Sequence, residues 1–464
     1  MRAGLVRAAL AAGLVVAAST GAAGQGQGTG SREQATGSSL QRSPLPAPRS
    51  PDADTLTTKF DVAGIPVILR RNTANEVVAA NLYLLGGTRQ VTAETAGIEP
   101  LLLAAAERGT QRYPGARSRR AVEALGSEIG IQAADDWTRF AFHAVRATFD
   151  STWMVFADRV IAPTLDPQEV ELVRQQMLAG ARALRDSPDA LVSYLADSAA
   201  FAGHAYGLNA AGTETSLARI SVADLRRYHD EQIVRSRMLL VVVGNVDRAQ
   251  VERLVTATLA RLPRGSYSWT PPTPPAAGDG DVVMVRRTLP TNYIVGRYAG
   301  PPASSGDYQA LRVATAVLSG RLFTEIRARR NLTYAVDAPF EERGVATGGL
   351  YVTTVSPDTT LALMQGEVAR LKRDTIDPEA LQRLVQGFIT QYLLDSETNA
   401  EQGDMLARAE LYRGDYRAAS RFVDELRKVT PDDVRRVANS YMHDLRWAYV
   451  GDPARVTRDR MLRL

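Results

Sequence analysis

The chain of 464 residues contains no cysteine, only four histidines, and only three lysines, at Lys59, Lys372 and Lys428. The missing cysteine excludes disulfides, thiolate nucleophiles, iron–sulfur clusters and every cysteine-ligated zinc site. Four histidines leave little from which to build a histidine-rich metal centre. With so little lysine, nearly all positive charge is arginine. Charges of both signs are interspersed along the chain, the formal net charge is only +4, and aromatic residues do not interleave with a basic block, so no nucleic-acid role is expected. No apolar run reaches the roughly 20 residues that span a bilayer, so no integral membrane segment is expected either.

What is present is an ordinary globular composition, 45% hydrophobic and 23% charged, in a chain longer than the roughly 250–300 residues at which a single core stops growing. The start, MRAGLVR followed by the apolar run Ala8 to Ala18 and small residues to Gly24, has the three parts of a secretory signal peptide and places the mature chain in the periplasm or outside the cell. Residues 25–54 are rich in Gly, Ser, Gln and Pro and read as a disordered lead-in. A second break, 263–280, holds five prolines and reads as an extended linker. The folded parts are then 55–262 and 281–464.

Those two parts resemble each other. Thr164-Leu-Asp-Pro opens a helical pattern ending near Asp186, and Thr375-Ile-Asp-Pro opens another ending near Asp395. Ile220-Ser-Val-Ala-Asp-Leu-Arg-Arg matches Val429-Thr-Pro-Asp-Asp-Val-Arg-Arg, and the following apolar strands end in Val243-Gly244-Asn and Val450-Gly451-Asp. The Asp-Pro pairs predict N-caps with proline at the first helical position, and Ser221/Asp224 and Thr430/Asp433 predict capping boxes. Glu76–Leu85, Ile129–Ala134, Thr138–Val145 and Asn292–Arg297 read as strands. The fold class is α+β: two homologous α/β units, each a mostly antiparallel sheet packed on a helical layer, together forming a clam-shell.

The stretch Gly86-Gly-Thr-Arg through Gly109-Thr110 and Tyr113-Pro114 resembles the active-site segment of the pitrilysin or insulinase-type zinc peptidases. Further fits are Gly203-His204-Ala-Tyr-Gly207, Gly212-Thr213, the strand end at 242–247 and Leu322-Phe-Thr-Glu-Ile-Arg-Ala-Arg-Arg-Asn-Leu-Thr-Tyr334. The resemblance covers the whole mature chain in order, and the duplicated layout is also the family's. In that family a helix carries H-x-x-E-H, two zinc-binding histidines around a general-base glutamate. Here those positions are Pro100, Ala104 and Leu103, and none can hold zinc or accept a proton. The family's third ligand falls in Val170–Ala183, where only Glu171 is acidic. Glu94, Glu99, Glu107 and His143 are the nearby residues from which a metal site could be rebuilt. The alternative is that Pro100 starts a helix and 101–106 packs in a core.

The resemblance also implies an Arg and a Tyr seven residues apart that hold substrate and stabilise the oxyanion; Arg327 and Tyr334 match that spacing. A permanently charged guanidinium and a phenol donor suit developing negative charge, but neither is a nucleophile. The competing structural expectation pairs Arg327 with Glu325 or Glu341 and places Tyr334 in a core. Asn331 stands where the family often has Gly. His204 is expected in a structural turn, and His229 and His443 near helix ends. The strand at 129–134 is one whose edge, in the family, adds a substrate strand by backbone pairing.

The resulting expectation is a chain that binds no metal itself. It supplies Arg327 and Tyr334 to a homologous H-x-x-E-H partner subunit that carries the zinc, for hydrolysis of peptide substrates. The alternatives are a catalytically inactive peptide-binding or assembly subunit and an autonomous peptidase with unusual ligands.

Overall fold

Runs rich in β-branched residues form the strands of two open sheets in the computed structural model, which describes residues 56–275 and 280–463. The expected signal segment and lead-in, 1–54, lie outside the described residues. The first sheet comprises β1 (Thr57–Val62), β2 (Ile65–Arg71), β3 (Val77–Leu85), β4 (Glu128–Ala133), β5 (Trp137–Val145) and β6 (Met238–Gly244), in the order β1-β2-β6-β3-β5-β4. The second comprises β7 (Val282–Arg286), β8 (Asn292–Pro302), β9 (Val336–Asp337), β10 (Phe340–Glu341), β11 (Val345–Thr354) and β12 (Arg446–Gly451), in the order β10-β11-β8-β12-β7, with β9 also paired to β11.

Read from the opposite end, the second order repeats the first without β1. The one parallel pair of each sheet falls at the same place, β2 with β6 and β7 with β12. The duplication inferred from sequence is therefore a duplication of topology. Its landmarks do the same work in both copies. Asp166 and Asp377 cap the helices Pro167–Asp186 and Pro378–Asp395, and both capping boxes form, on Val222–Gln232 and Pro431–Tyr441. Each strand-end glycine sits under a close approach: a Cβ on Gly244 would lie 2.8 Å from the Val78 backbone, and one on Gly451 2.3 Å from Asn292 Oδ1.

One face of each sheet is covered by helices of its own half, as the amphipathic patterns require. In the first half Phe140, Phe142, Phe149, Trp153 and Phe156 form the centre of that core, and in the second Leu311, Leu322, Leu361, Trp447 and Tyr449. The other face is covered by the opposite half. The Pro188–Ala200 helix lays Leu191, Val192 and Ala196 on Val295, Ala448 and Val450 of the second sheet. The Asn399–Arg413 helix lays Leu406, Ala407 and Leu411 on Ile68, Tyr83, Leu239 and Val241 of the first. Gly403 is needed there, because a Cβ would lie 2.8 Å from Asn81 Nδ2. Asn399 donates to the Val77 carbonyl at 2.6 Å and Asn81 to the Ala400 carbonyl at 3.1 Å.

The linker lies against both halves. Trp269 Nε1 donates to the Leu411 carbonyl at 2.8 Å, Arg89 to the Thr270 carbonyl at 2.7 Å, and the Arg89 guanidinium lies 4.8 Å from the Trp269 ring. Contacts join Pro51–Leu464 in one unit.

The exchange of covering helices predicts one cooperative unfolding transition. Ala196→Asp and Ala407→Asp, each burying an unpaired charge at a fully buried position, are each expected to cost several kcal/mol. Either should lower the melting temperature of both halves together, followed by circular dichroism and by fluorescence of Trp153 and Trp447. Two separated transitions would show that the halves are independent.

Candidate functional site

The Ile98–Glu107 helix carries the three positions where the family pattern places its zinc ligands and base. The chain enters it through Gly97 in the left-handed region (φ 88°). Pro100 lies in the first turn, where a missing N–H breaks no helical bond. Leu103 is fully buried, and Pro100 and Ala104 are partly buried. Leu101–Leu103 join the first core, so the packing alternative is the one found. Glu99, a candidate for a rebuilt site, is buried and committed elsewhere: Arg237 Nη1 lies 3.0 Å from its Oε2 and the Tyr228 hydroxyl donates to it at 2.9 Å. Arg237 also donates to the Leu85 carbonyl at 2.8 Å, so this pair ties the helix to the ends of β3 and β6.

The facing Pro167–Asp186 helix buries Val170, Val173 and Leu178. Its Glu171 is exposed and pairs with Arg174 at 3.2 Å. Glu94 accepts from the Thr92 hydroxyl at 2.7 Å, and that bond is the main reason its pKa is lowered. His143 lies 3.5 Å from Glu128, His229 Nε2 is 2.9 Å from the Val160 carbonyl, and His443 bonds Asp444 and the Ser440 carbonyl. His204 Nδ1 accepts from the Tyr206 N–H at 3.1 Å, and burial lowers its pKa. Among the described residues no three of the His, Asp and Glu side chains are grouped to hold a metal. The donor set on this helix pair does not fit zinc.

Arg327 and Tyr334 are brought together on the other half. Arg327 lies in a π-helical turn, Phe323–Ala328, at the end of the Asp307–Leu322 helix; such turns often occur at functional sites. Its guanidinium stacks between two rings, 5.1 Å from the Phe323 centroid and 5.0 Å from that of Tyr334. Tyr334 is 83% exposed and Phe323 41%, so Tyr334 is not a core residue. Nor is Arg327 ion-paired among the described residues. Glu325 is taken by Arg329 and Arg330, and Glu341 by Arg297 and Arg343. Asn331 adopts φ 51°, a left-handed conformation that asparagine tolerates well, which accounts for its standing in a glycine position. Among the described residues no hydrogen bond, ion pair or ring contact links this pair to the Ile98–Glu107 helix.

Residues that the sequence did not single out join the two halves. Asp136, buried in the turn between β4 and β5, accepts from Tyr206 at 2.8 Å, from Tyr412 at 2.7 Å and from the Gly344 N–H at 3.1 Å. Beside it Arg343 bonds Asp135 at 2.8 Å and Glu341, and Arg297 bonds Asp197 at 3.0 Å and Glu341 at 2.7 Å. The only signal in the sequence was an Asp-Asp doublet between two strands, which reads as an ordinary turn. Burial is the largest influence on Asp135 and pushes it up to about 7, against the pull of Arg343. Burial likewise raises Asp197 against Arg297. A cavity of about 630 Å³ lies in the second half, lined by Tyr308, Arg312, Phe388, Tyr392, Asp404 and Arg408 among others; no candidate residue named from the sequence lines it.

Known proteins are similar to this chain in sequence and fold. Residues 66–214 match the model of Insulinase (Peptidase family M16), and residues 219–388 that of the Peptidase M16 inactive domain. The chain belongs to the insulinase family of peptidases. An uncharacterized zinc protease of Mycobacterium leprae is 25% identical over 417 residues, covering 86% of this chain and 93% of the relative. The mitochondrial-processing peptidase subunit beta of Blastocladiella emersonii is 25% identical over 399 residues, 82% of this chain and 85% of the relative. The crystal structure of a peptidase M16 inactive domain from Pseudomonas fluorescens has the same fold, with a TM-score of 0.77 at 19% identity over 85% of this chain and 98% of that one.

Two stability effects follow. Glu99→Gln leaves Arg237 buried without its carboxylate and is expected to cost about 3–5 kcal/mol in urea denaturation. Asp135 has a folded pKa of about 7 against about 3.9 unfolded. Its contribution to stability is therefore complete below the unfolded value and is lost as pH rises through about 7. The melting temperature should fall between about pH 4 and pH 7 more steeply in the native chain than in Asp135→Asn, with no further divergence at higher pH; equal slopes would remove Asp135 from the effect.

Proposed function

We propose that this chain is the metal-free, Arg/Tyr-bearing subunit of a two-chain insulinase-type peptidase. A homologous partner supplies H-x-x-E-H and its zinc, and the substrates are peptides. The observation that carries this reading is the contrast between the two halves. The helix that should bind zinc offers no donor at Pro100, Leu103 or Ala104, while Arg327 is stacked, partly exposed and, among the described residues, without an ion-pair partner. A guanidinium and a phenol held in this way can meet the charge on a tetrahedral intermediate, but neither makes a nucleophile from water. A relative that is itself a peptidase subunit supports a shared site.

The peptide would lie along β4, whose outer edge has no strand partner among the described residues. The leader pattern of 1–24 supports export to the periplasm or beyond. A non-catalytic peptide-binding or assembly role is the second reading, favoured by the same empty helix.

The test mixes this chain with a coexpressed H-x-x-E-H homologue and follows cleavage of a quenched peptide. Each chain alone should be inactive, and this chain alone should hold no stoichiometric zinc by metal analysis. Arg327→Ala and Tyr334→Phe should each lower kcat of the mixture by about 10²–10³. Full activity with both changes would reject the role, and a stable complex with no activity would leave the assembly reading.

A further inference from the structure

Among the described residues many arginines pair with a carboxylate and many do not; one of the unpaired groups is a close-set run. Between β3 and β4 the stretch 108–120 places Arg112, Arg117 and Arg120 in exposed positions and Arg119 in a partly buried one, and among the described residues none of the four has an ion-pair partner. Three of them sit on the short Arg117–Ala124 helix. Arg159 lies beneath this helix, buried, and is held by neutral groups, donating to Ser118 Oγ at 3.1 Å and to the Ser118 carbonyl at 3.3 Å. Burial and then the nearby Arg119 act against its charge, with Glu107 opposing. Glu123 and Glu128 are the only acidic side chains between Arg108 and Ala133, and Glu128 faces His143. Asp158 accepts from the Arg112 backbone N–H at 3.2 Å, and the exposed side of the Arg117–Ala124 helix carries Arg117 and Arg120 with no ion pair among the described residues and a buried guanidinium under it.

After a three-residue turn the same chain becomes β4. Among the described residues β4 pairs only with β5; its burial alternates exposed and partly buried along Glu128–Ala133, and a Cβ at Gly130 would meet nothing within 4 Å. Its outward N–H and C=O groups can be satisfied by an extended polypeptide and not by a lipid surface. No exposed large hydrophobic side chain lies within 108–133 to enter a bilayer.

We propose that the arginine ridge beside β4 selects an acidic extended peptide, whose backbone pairs with the β4 edge while its carboxylates meet Arg112, Arg117 and Arg120. This deepens the peptidase reading by naming the substrate class, and it rests on that reading only for the consequence of binding. Guanidinium forks suit carboxylates, and an exposed cluster of this kind acts through charge that salt screens.

The experiment measures fluorescence anisotropy of a labelled extended peptide, Asp or Glu alternating with apolar residues, on the full chain without any partner. The acidic peptide should bind, its Lys counterpart should not, and binding should weaken as salt rises from about 0.05 to about 0.5 M. Arg117→Glu with Arg120→Glu, both on exposed positions, should weaken binding at least about tenfold with an unchanged melting temperature, and Arg327→Ala should leave it in place. N-methylation of alternate peptide amides should abolish it. Equal binding of the two peptides, an unaffected double variant, or sedimentation with anionic vesicles without peptide binding would overturn the proposal. Binding as expected with no cleavage in the mixed assay would reject the catalytic reading alone, whereas cleavage without acidic preference would reject the ridge alone.

Discussion

A buried polar cluster at the turn between β4 and β5 joins the two halves. Asp136 collects a tyrosine hydroxyl from each half and a backbone N–H from the turn after β10. Next to it Arg343 reaches back to Asp135, while Arg297 and Glu341 extend the chain of charges to Asp197. Asp136, Arg297 and Arg343 are buried and Asp135, Asp197 and Glu341 partly so, and a half-satisfied network at buried groups would be worse than an apolar core. The relation between the halves is therefore fixed by directional bonds in addition to apolar area, and so is the separation between the donor-free Ile98–Glu107 helix and the Arg327 surface.

The contrast between those two surfaces is one of chemistry within a common frame. Around Pro100 the side chains that replace metal ligands are the kind that pack, and Glu99, the acidic neighbour, is tied to Arg237 and Tyr228. Around Arg327 the reverse holds: Glu325, the carboxylate two residues away, is diverted to Arg329 and Arg330. A guanidinium left with two aromatic faces and no anion keeps its planar edge open.

Much of the fold was legible because it rests on short-range chemistry. The Asp-Pro caps and the Ser221 and Thr430 capping boxes each act through neighbours within a few residues, and each appears twice; the strand-ending glycines were legible as a repeated pattern, though the distant residues they approach were not. The Arg327–Tyr334 pairing was legible as a spacing, though its exposure was not. The sequence was silent on which half each helix covers. Pro188–Ala200 and Asn399–Arg413 carry apolar stripes that would suit either sheet, and stripe hydrophobicity does not name a partner. The Asp135–Asp136 cluster was hidden for the same reason: its partners lie up to 276 residues away. The arginine run at 112–120 was overlooked because net charge averages over the chain, and only the placement of acidic groups shows which positive charges are left unmatched.

The exchanged helices also bear on how such a chain can arise. A single unit of this kind has a sheet with one face bare and a helix whose apolar stripe has nothing of its own to cover. Two identical copies trading those helices would satisfy both, the geometry of a swapped dimer. The linker at 263–280 then acts as a tether that turns an encounter between two molecules into one within a chain, and frees each copy to change separately. The two copies do differ in that way, with a donor-free packing helix, Ile98–Glu107, in one and the Arg327–Tyr334 surface in the other.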